Sequence, residues 1–369
     1  MTEVQMIVET HTVHALGLER AGQMRFFRYD EGMLPENHFR VETLYSGLSA
    51  GTELTFYKGT NPHLHAQWDA DMGVFRSDRP GIRGPLPFMG FMEVARVTDS
   101  RCRQVAPGML LAMCYGHQTG HTAHADEFFV PLPADLPALL GIYVAQQGPI
   151  CANGLLHAAA DQMGRRVETL ADGVRERNVV VVGAGATGLL LGLWARHLGA
   201  AEVAVIDNTP ERLAAAEALG LTAISDQDGQ AWRACKQRWW HGLNDRGADL
   251  AFQCRGQTAA LCTALRCLRP QGTVIDLAFY QGGAADLRLG EEFHHNGLTI
   301  RCAQIDNPPR GLSWDHARLA DETIRFLRDC GSEVQEHIIT DIVPFSEAPS
   351  FIADLAERRR HAIQAVFAF

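Results

Sequence analysis

The sequence predicts an α/β protein with two domains, in which a β-rich domain precedes a doubly wound parallel sheet. The chain has 369 residues, which is long for a single hydrophobic core. Up to residue 150, short β-rich segments are broken by turns, a pattern typical of a small barrel or sandwich. Beyond residue 150, apolar strands alternate with helical patterns, which is typical of a parallel sheet covered by helices.

The first domain is predicted to contain six short strands, over 6–8, 24–28, 39–44, 91–97, 109–113 and 127–130. Residues 59–87 interrupt this pattern, because they are rich in Pro, Gly, His and Trp and lack a clear periodicity. A segment of this length in a compact domain is usually functional or disordered. Its aromatic content favours an ordered lid or a partner contact.

The second domain is predicted around a glycine-rich turn. Residues 179–182 are consecutive valines, as expected of a parallel strand that is buried on both faces. Gly183, Gly185 and Gly188 follow with the spacing G-x-G-x-x-G and precede a helical run over 189–198. In a dinucleotide site, these glycines permit the tight turn, the approach of the pyrophosphate and the packing of the helix on the strand.

An acidic residue follows at the distance that a dinucleotide site requires. The predicted strand 202–206 ends in Asp207, about 20 residues beyond the glycines, where a carboxylate can bind the ribose hydroxyls. No basic residue follows at once to accept a 2′-phosphate, and Arg212 lies further on, in the next predicted helix. The sequence therefore predicts NAD(H) as the cofactor in preference to NADP(H).

The remaining pattern completes the sheet and returns to the first domain. Helices are predicted over 155–163, 212–219, 259–267 and 349–359, and strands over 248–252, 273–277, 298–304 and 363–367. We assign residues 1–152 and 312–369 to the first domain and residues 153–311 to the second.

Composition excludes several classes of function. A net charge of −10 argues against a nucleic-acid surface, which needs clustered Lys and Arg. The nine cysteines are scattered without C-x-x-C pairs, which favours reduced thiols and a cytoplasmic setting. The N-terminus lacks a signal-peptide pattern, and no apolar run approaches the ~20 residues of a membrane span.

Four blocks of sequence, 45–54, 107–108 with 127–130, 249–256 and 268–274, resemble motifs of the medium-chain dehydrogenase/reductase family in the family's order. This resemblance implies a GroES-like β-barrel catalytic domain, a Rossmann domain and a homodimer. It also implies a set of cofactor-binding residues: Gly183, Gly185, Ala186, Thr187, Gly188, Asp207, Arg212, Cys254, Arg255, Gly256, Ala278, Phe279 and Tyr280.

The sequence departs from this family at its zinc ligands. Ser49 stands where a cysteine is expected, Phe91 and Met92 stand where a His–Glu pair is expected, and Cys151 is a single remaining candidate. The four-cysteine structural lobe is also absent. We therefore predict no catalytic or structural zinc. The loop Ser-Gly-x-Ser-x-Gly-Thr-Glu resembles a zinc-lacking branch of the family that includes bacteriochlorophyllide dehydrogenases.

A rival metal site has to be considered. Cys114, His117, His121 and His124 lie within eleven residues, as in some Cys–His zinc clusters. Side chains on a strand alternate between its faces, so all four could bind one ion only on an unusual loop. A substrate contact by at least one histidine and a purely structural role are the alternatives.

Without zinc, a hydrogen-bond donor must stabilise the developing alkoxide, and a relay must move the proton. The candidates are Thr52, Glu53, Tyr57, His117 and His157. Thr52 is preferred, because the family's loop carries a hydroxyl relay residue nearby. Glu53 can equally hold its loop by hydrogen bonds, and His117 and His157 can equally be structural.

The predicted function is an NAD(H)-dependent oxidoreductase that interconverts a secondary alcohol and a ketone, with a small-molecule substrate, no nucleic acid and no membrane partner. Two alternatives stay open. The first is reduction of an activated C=C bond, which in this family usually uses NADPH. The second is a non-catalytic protein that binds a dinucleotide.

Overall fold

A computed structural model describes residues 11–280 and 282–369, and the chain divides into two compact units. The first unit comprises the described residues up to Gln146, together with Ile342–His361 and Ala365–Phe369. The second comprises Gln147–Asp341 and Ala362–Gln364. Residues 312–341 thus lie in the second unit, whereas the sequence assigned them to the first domain. The predicted strand over 6–8 lies outside the described residues.

Strands dominate the first third of the described chain, and helices alternate with strands over most of the rest. The strands are β1 His11–Arg20, β2 Gln23–Glu31, β3 His38–Gly47, β4 Gln67–Asp69, β5 Val74–Arg76, β6 Glu93–Ser100, β7 Leu110–Met113, β8 Gly120–His124, β9 Phe129–Pro131, β10 Asn178–Val182, β11 Glu202–Asp207, β12 Thr222–Ser225, β13 Trp240–Gly242, β14 Asp245–Arg246, β15 Ala248–Gln253, β16 Leu268–Asp276, β17 Thr299–Cys302, β18 Ile339–Pro344 and β19 Gln364–Ala368. The helices are α1 Ala50–Tyr57, α2 Gln147–Met163, α3 Ala186–His197, α4 Pro210–Ala218, α5 Ala231–Arg238, α6 Thr258–Cys267, α7 Glu292–His295, α8 His316–His337 and α9 Ala348–Ala356. None of the helices described is both long and apolar enough to cross a membrane.

The first unit is built on an antiparallel sheet. Its strand order is β18-β19-β3-β6-β7-β9, with β8 paired to β3, and β1 and β2 form a separate hairpin. Alternate residues of β3, β6 and β7 point inward, and Phe39, Val41, Ala95 and Leu111 form part of one buried cluster. The first candidate residues of the site, on α1, follow directly from the end of β3.

The second unit is built on a parallel sheet of six strands in the order β12-β11-β10-β15-β16-β17. This is the Rossmann order 3-2-1-4-5-6, in which a dinucleotide crosses the carboxyl ends of the strands at the point where the order reverses. The valines of β10 are buried, as their continuous apolar pattern predicted. The predicted fold class is therefore present in both units.

Helix α8 explains why residues 312–341 belong to the second unit. The indole ring of Trp194 on α3 stacks on the ring of Phe326 on α8, with centroids 4.4 Å apart and planes inclined by 10°. Both rings are buried, so α8 covers the sheet instead of joining the first unit. Burial of two large aromatic side chains is a major source of packing energy.

The segment 59–87 has regular structure. Its buried Asn61 donates from Nδ2 to Oγ1 of Thr55 at 2.7 Å, which fastens the segment to α1. Strands β4 and β5 form a hairpin in which the rings of Trp68 and Phe75 lie 5.0 Å apart. A surface cleft of about 370 Å³ is lined by His63, Ala66, Gln67, Trp68, Pro80, Gly81 and Ile82. A role as lid or partner contact stays a prediction.

Candidate functional site

The turn between β10 and α3 has the geometry that a pyrophosphate requires. Gly183 has a φ angle of 106°, a left-handed conformation that favours glycine. A Cβ atom at Gly188 would lie 1.8 Å from the carbonyl oxygen of Gly183, so a side chain there would force the helix away from the turn. A Cβ atom at Gly185 would meet no atom within 4 Å. Packing therefore does not require glycine at 185, and the backbone there is open to a ligand.

Helix α3 begins directly after Gly185, and its N-terminus has no side-chain cap. The first N–H groups of a helix, which in α3 include those of Ala186 and Thr187, have no partner within the helix and lie at its positive end. This arrangement favours a bound phosphate. The side chain of Thr187 is fixed by Gln147, whose Nε2 donates to its Oγ1 at 2.6 Å.

Asp207 ends β11, and its carboxylate accepts three backbone N–H groups. One oxygen accepts from Ala184 at 2.8 Å, and the other accepts from Asn208 at 2.8 Å and Thr209 at 2.9 Å. Burial opposes ionisation, but the N–H groups of Ala184 and Thr209 and the charge of Arg212 hold the pKa of Asp207 below its ordinary value. The carboxylate thus fixes the glycine turn itself.

Arg212 lies on α4 and supplies a positive charge beside this acid. Its Nη2 donates to the carbonyl oxygen of Ala362 at 3.3 Å. Its Nε is buried and has no hydrogen-bond partner among the described residues. The predicted ribose site therefore contains both an anion and an incompletely paired cation.

Two loops follow β15 and β16 at the carboxyl edge of the sheet. A Cβ atom at Gly183 would lie 3.0 Å from the Cβ of Arg255 and 3.3 Å from the carbonyl carbon of Cys254. A Cβ atom at Gly256 would lie 2.4 Å from the carbonyl oxygen of Phe279. The structure thus brings the predicted cofactor residues of three loops together around the glycine turn.

Sequence analysis missed two buried polar residues at this edge, Gln253 at the end of β15 and Asp276 at the end of β16. Each is the last residue of its strand and follows apolar residues, and Asp207 has the same position in β11. This shared position was the signal that could have revealed them, since the carboxyl ends of parallel strands border the ligand site.

In the first unit, Glu53 and His117 form a buried pair. His117 Nε2 lies 2.8 Å from Glu53 Oε2, and His117 Nδ1 lies 2.7 Å from Ser46 Oγ. The other oxygen of Glu53 accepts the N–H of Ser49, the residue before α1, at 2.7 Å. The side chains of His117 and Glu53 are 0% and 3% exposed. The structure brings these two candidates together, and their burial favours a role in holding the loop before α1.

Thr52 and Tyr57 lie on α1 without joining this pair. Thr52 is half-buried, and within the described residues its hydroxyl has no hydrogen-bond partner. Its carbonyl oxygen accepts the hydroxyl of Thr55 at 2.6 Å, so the backbone beside it is fixed. Tyr57 is buried against the first unit, and its carbonyl oxygen accepts the N–H of Gly22. The hydroxyls of Thr52 and Tyr57 are thus the candidate groups in this unit that take no part in the Glu53–His117 pair.

A second buried pair, Glu93 and His121, repeats the first. His121 Nε2 lies 2.8 Å from Glu93 Oε2, and the hydroxyl of Thr43 donates to Glu93 Oε1 at 2.6 Å. The ring of Tyr115 stacks on His121 with centroids 3.6 Å apart. Sequence analysis did not single out Glu93, because one acid within a predicted strand carries no local signal of a distant histidine.

Comparisons with known proteins agree with this geometry. A family model described as zinc-binding dehydrogenase matches residues 186–307. The chain is 31% identical over 192 residues to D-guloside 3-dehydrogenase of Escherichia coli (strain K12). This match covers 48% of this chain and 52% of that protein. The chain therefore spans about half the length of the curated relatives it matches.

Two solved structures cover almost the whole chain. One is an alcohol dehydrogenase from Thermotoga maritima, with a TM-score of 0.72, 18% identity and coverage of 97% of this chain and 99% of that chain. The other is a protein of Sinorhizobium meliloti 1021, assigned as a zinc-binding dehydrogenase and solved with NADP, with a TM-score of 0.71, 17% identity and coverage of 97% and 100%. At these identities the likeness concerns the fold alone.

The family model and the curated relatives support the predicted resemblance to the medium-chain dehydrogenase/reductase family. The model describes a zinc-binding dehydrogenase, and a further relative, from Escherichia coli (strain K12), is named as a zinc-type alcohol dehydrogenase-like protein. The predicted family and the predicted fold class, a GroES-like barrel domain and a Rossmann domain, are confirmed.

The residues at the family's zinc positions do not fit a zinc ion. Ser49 is a hydroxyl residue at the start of α1, and Met92 is a buried thioether. Cys151 Sγ lies 3.7 Å from the carbonyl oxygen of Thr187, and burial raises the pKa of its thiol well above the usual value. Zinc prefers thiolate, imidazole and carboxylate ligands. Within the described ranges, no group of three or more His, Cys, Asp or Glu residues is arranged to hold a metal ion.

The Cys–His cluster considered as a rival metal site is not assembled. Cys114 Sγ lies 3.6 Å from the carbonyl oxygen of Ala145, and His117 and His121 are bonded to two different glutamates. The ring of His124 packs edge-on against His38. Alternation along β8 separates His121 from His124, while Cys114 and His117 lie before this strand.

His157 lies on α2 in the second unit. Its Nε2 is 3.0 Å from the carbonyl oxygen of Asn307, so this nitrogen carries a proton and donates it. Its Nδ1 is buried and has no partner in the described part of the chain, and burial lowers the pKa of the imidazole. A neutral ring bonded to the backbone favours the packed, structural alternative.

Proposed function

We propose that the chain is an NAD(H)-dependent oxidoreductase that interconverts a secondary alcohol and a ketone without catalytic zinc. The observation that carries the proposal is the turn after β10, where Gly188 is required by packing and Gly185 leaves the backbone open. Asp207 at the end of the next strand supports NAD(H), since a carboxylate there binds a ribose 2′-hydroxyl and repels a 2′-phosphate. Arg212 is the feature that argues for NADP(H), because its Nε is unpaired among the described residues.

The bound cofactor would accept or donate the hydride. The backbone of Gly185, Ala186 and Thr187 would hold its pyrophosphate, and the loop 278–280 would border its nicotinamide end. Because the cofactor accounts for the hydride, a protein side chain must bind the substrate oxygen and move its proton.

Thr52 is the proposed group for the substrate oxygen. A hydroxyl can donate a hydrogen bond to a ketone oxygen and accept the proton of an alcohol, so it can serve both directions of the reaction. Its own hydroxyl is free within the described structure, while its backbone is fixed by Thr55. Glu53 and His117 are proposed to hold the loop that carries it, because both are buried.

The proposed substrate is a polyhydroxylated secondary alcohol. The relative named D-guloside 3-dehydrogenase acts, by its name, on such a compound, and this supports the same class for the present chain. A homodimer is proposed on the family resemblance alone. Light scattering that gives twice the chain mass of 40.6 kDa would support the dimer, and a monomeric mass would reject it.

The proposal is tested by titrating the purified protein with NADH and NADPH and then adding ketoses and glycosides oxidised at one ring carbon. We expect tighter binding of NADH, and loss of nicotinamide absorbance with at least one substrate. Tighter binding of NADPH would reject the cofactor assignment. Stoichiometric zinc, removed by a chelator together with activity, would reject zinc independence.

The second candidate, a non-catalytic dinucleotide-binding protein, is favoured by one observation, the lack of suitable zinc donors among the described residues beside an intact glycine turn. It predicts tight NADH binding with no oxidation by any ketone or enone. Turnover that falls when Thr52 is replaced by valine would exclude this candidate.

A further inference from the structure

Two buried polar side chains, Gln253 and Asp276, and the half-buried Tyr280 connect the loops that follow β15 and β16. The hydroxyl of Tyr280 donates to Asp276 Oδ2 at 2.8 Å and accepts from Gln253 Nε2 at 3.2 Å. Gln253 is fully buried, and Asp276 is 8% exposed. The Tyr280 hydroxyl is therefore the link between an amide on one strand end and a carboxylate on the next.

Two of these side chains also hold backbone. Gln253 accepts the N–H of Arg255 at 3.3 Å and donates to the carbonyl oxygen of the same residue at 2.7 Å. Asp276 Oδ1 accepts the N–H of Ala278 at 2.9 Å. The network thus fixes one residue's backbone in each loop and joins the two loops through Tyr280.

The acid in this network is costly to bury. Among the described residues, no Lys, Arg or His forms an ion pair with Asp276. Burial raises the pKa of Asp276, although the N–H of Ala278 and the hydroxyl of Tyr280 oppose this shift. An apolar residue would end a buried strand at lower cost, since an unpaired buried charge is unfavourable. The network therefore needs an explanation other than stability.

The two loops border the glycine turn. The backbone of Arg255 lies against Gly183, and Gly256 lies against the carbonyl oxygen of Phe279 with no room for a side chain. A shift of either loop would therefore change the surface beside the proposed pyrophosphate position.

We propose that Gln253, Asp276 and Tyr280 are positioning residues that set the backbone of 254–256 and 278–280 for the nicotinamide end of the dinucleotide. The inference rests on the proposed function, because it assumes that a dinucleotide lies across the turn after β10. None of the three side chains needs to touch the ligand. They act through the peptides that they hold, so their loss weakens contacts to the nicotinamide and spares those to the adenosine diphosphate part.

The test compares NADH with ADP-ribose, which lacks the nicotinamide. Dissociation constants are measured by calorimetry for wild type, Tyr280→Phe and Asp276→Asn, together with the nicotinamide fluorescence of bound NADH. Tyr29→Phe is the matched control, since the Tyr29 hydroxyl also makes a hydrogen bond, to Gln118 in the first unit at 3.1 Å. We expect Tyr280→Phe and Asp276→Asn to weaken NADH on the order of tenfold, as for the loss of one hydrogen bond to a charged group. ADP-ribose should bind as in wild type, and Tyr29→Phe should change neither ligand.

The contrary outcomes are distinct. Equal weakening of NADH and ADP-ribose would overturn the inference, because it would show that the network only stabilises the domain. Unchanged affinity for both ligands would overturn it as well. If Tyr280→Phe does not fold, the isosteric Asp276→Asn decides by the same comparison. Wild-type protein that binds neither NADH nor NADPH would instead reject the proposed function itself.

Discussion

Replacing Glu53 tests whether the buried Glu53–His117 pair holds the first unit or acts in the reaction. Glu53→Ala removes the acceptor of two donors, the buried Nε2 of His117 and the half-buried N–H of Ser49. A buried donor left unpaired costs about 1–3 kcal/mol and a half-buried one less, so the expected loss in the free energy of unfolding is about 2–4 kcal/mol. This range overlaps the about 3–5 kcal/mol found when one partner of a buried ion pair is removed.

The assay is urea unfolding of wild type, Glu53→Ala, His117→Phe and the double variant, with the m-value as a check that the same surface unfolds. Glu42→Ala is the matched control, because Glu42 is an exposed glutamate on β3, and its replacement should change stability by no more than about 0.5 kcal/mol. The double variant should lose less than the sum of the single losses, since either replacement already breaks the same contact.

Two results would refute this reasoning. The first is a Glu53→Ala protein that is as stable as Glu42→Ala, and the second is a double variant whose loss equals the sum of the single losses. A stable Glu53→Ala protein that has lost turnover would show that the carboxylate acts on the substrate or its proton. The distinction matters because Glu53 and His117 were both predicted as catalytic residues.

Three further predictions concern the proposed site. Thr52→Val should lower turnover and leave NADH affinity unchanged; steady-state kinetics with unchanged turnover would contradict the relay role. The pKa of Asp207 is lowered in the folded state. The ionised carboxylate therefore adds its full contribution to the free energy of unfolding above the ordinary aspartate pKa of about 4, and this contribution is lost as the pH falls through the folded-state pKa. The stability difference between wild type and Asp207→Asn should therefore shrink in acid, and a difference that is constant from about pH 7 to about pH 3 would contradict this. Gly188→Ala should unfold at a lower temperature than wild type, because its Cβ would lie 1.8 Å from the carbonyl oxygen of Gly183. Gly185→Ala should keep the stability of wild type and weaken dinucleotide binding, and the reverse pattern would exclude the proposed roles.

The sequence predicted those parts of the fold whose local pattern has only one explanation. The continuous valines of β10, the three glycines after it and the acid that ends β11 all fall where the prediction set them. Their periodicity is set by burial on both faces of the sheet, so it can be read without knowledge of the rest of the chain.

Other elements were missed for identifiable reasons. Strand β8, Gly120–His124, contains two histidines and a glycine, so its buried face carries no apolar signal. Helix α8 carried a signal that was not used, since Leu319, Thr323, Leu327, Cys330 and Val334 recur at helical spacing and are all buried.

The site was predicted less completely than the fold, because hydrogen bonds between distant residues leave no local pattern. His117 lies 64 positions from Glu53 and is nevertheless bonded to it. Gln253 and Asp276 are partners in the register of two neighbouring strands, and Tyr280 joins their side chains. Sequence spacing identifies residues that share one strand or helix, but a contact across the sheet depends on the register of both strands.

Two acids predicted to meet a ligand, Glu53 and Asp207, also hold backbone beside the predicted ligand positions. The carboxylate of Glu53 accepts the N–H of Ser49 at the start of α1, and that of Asp207 accepts the N–H of Ala184 within the glycine turn. A buried carboxylate is stable only when such donors satisfy it, so these acids are bound first to their own loops. Loss of activity on replacing either acid is therefore expected from a displaced loop alone. Only a comparison of stability with turnover, made on the same variant, can assign a direct chemical role to Glu53. Thr52 and Gly185 can be judged from activity and binding, because their replacement leaves no buried group unpaired.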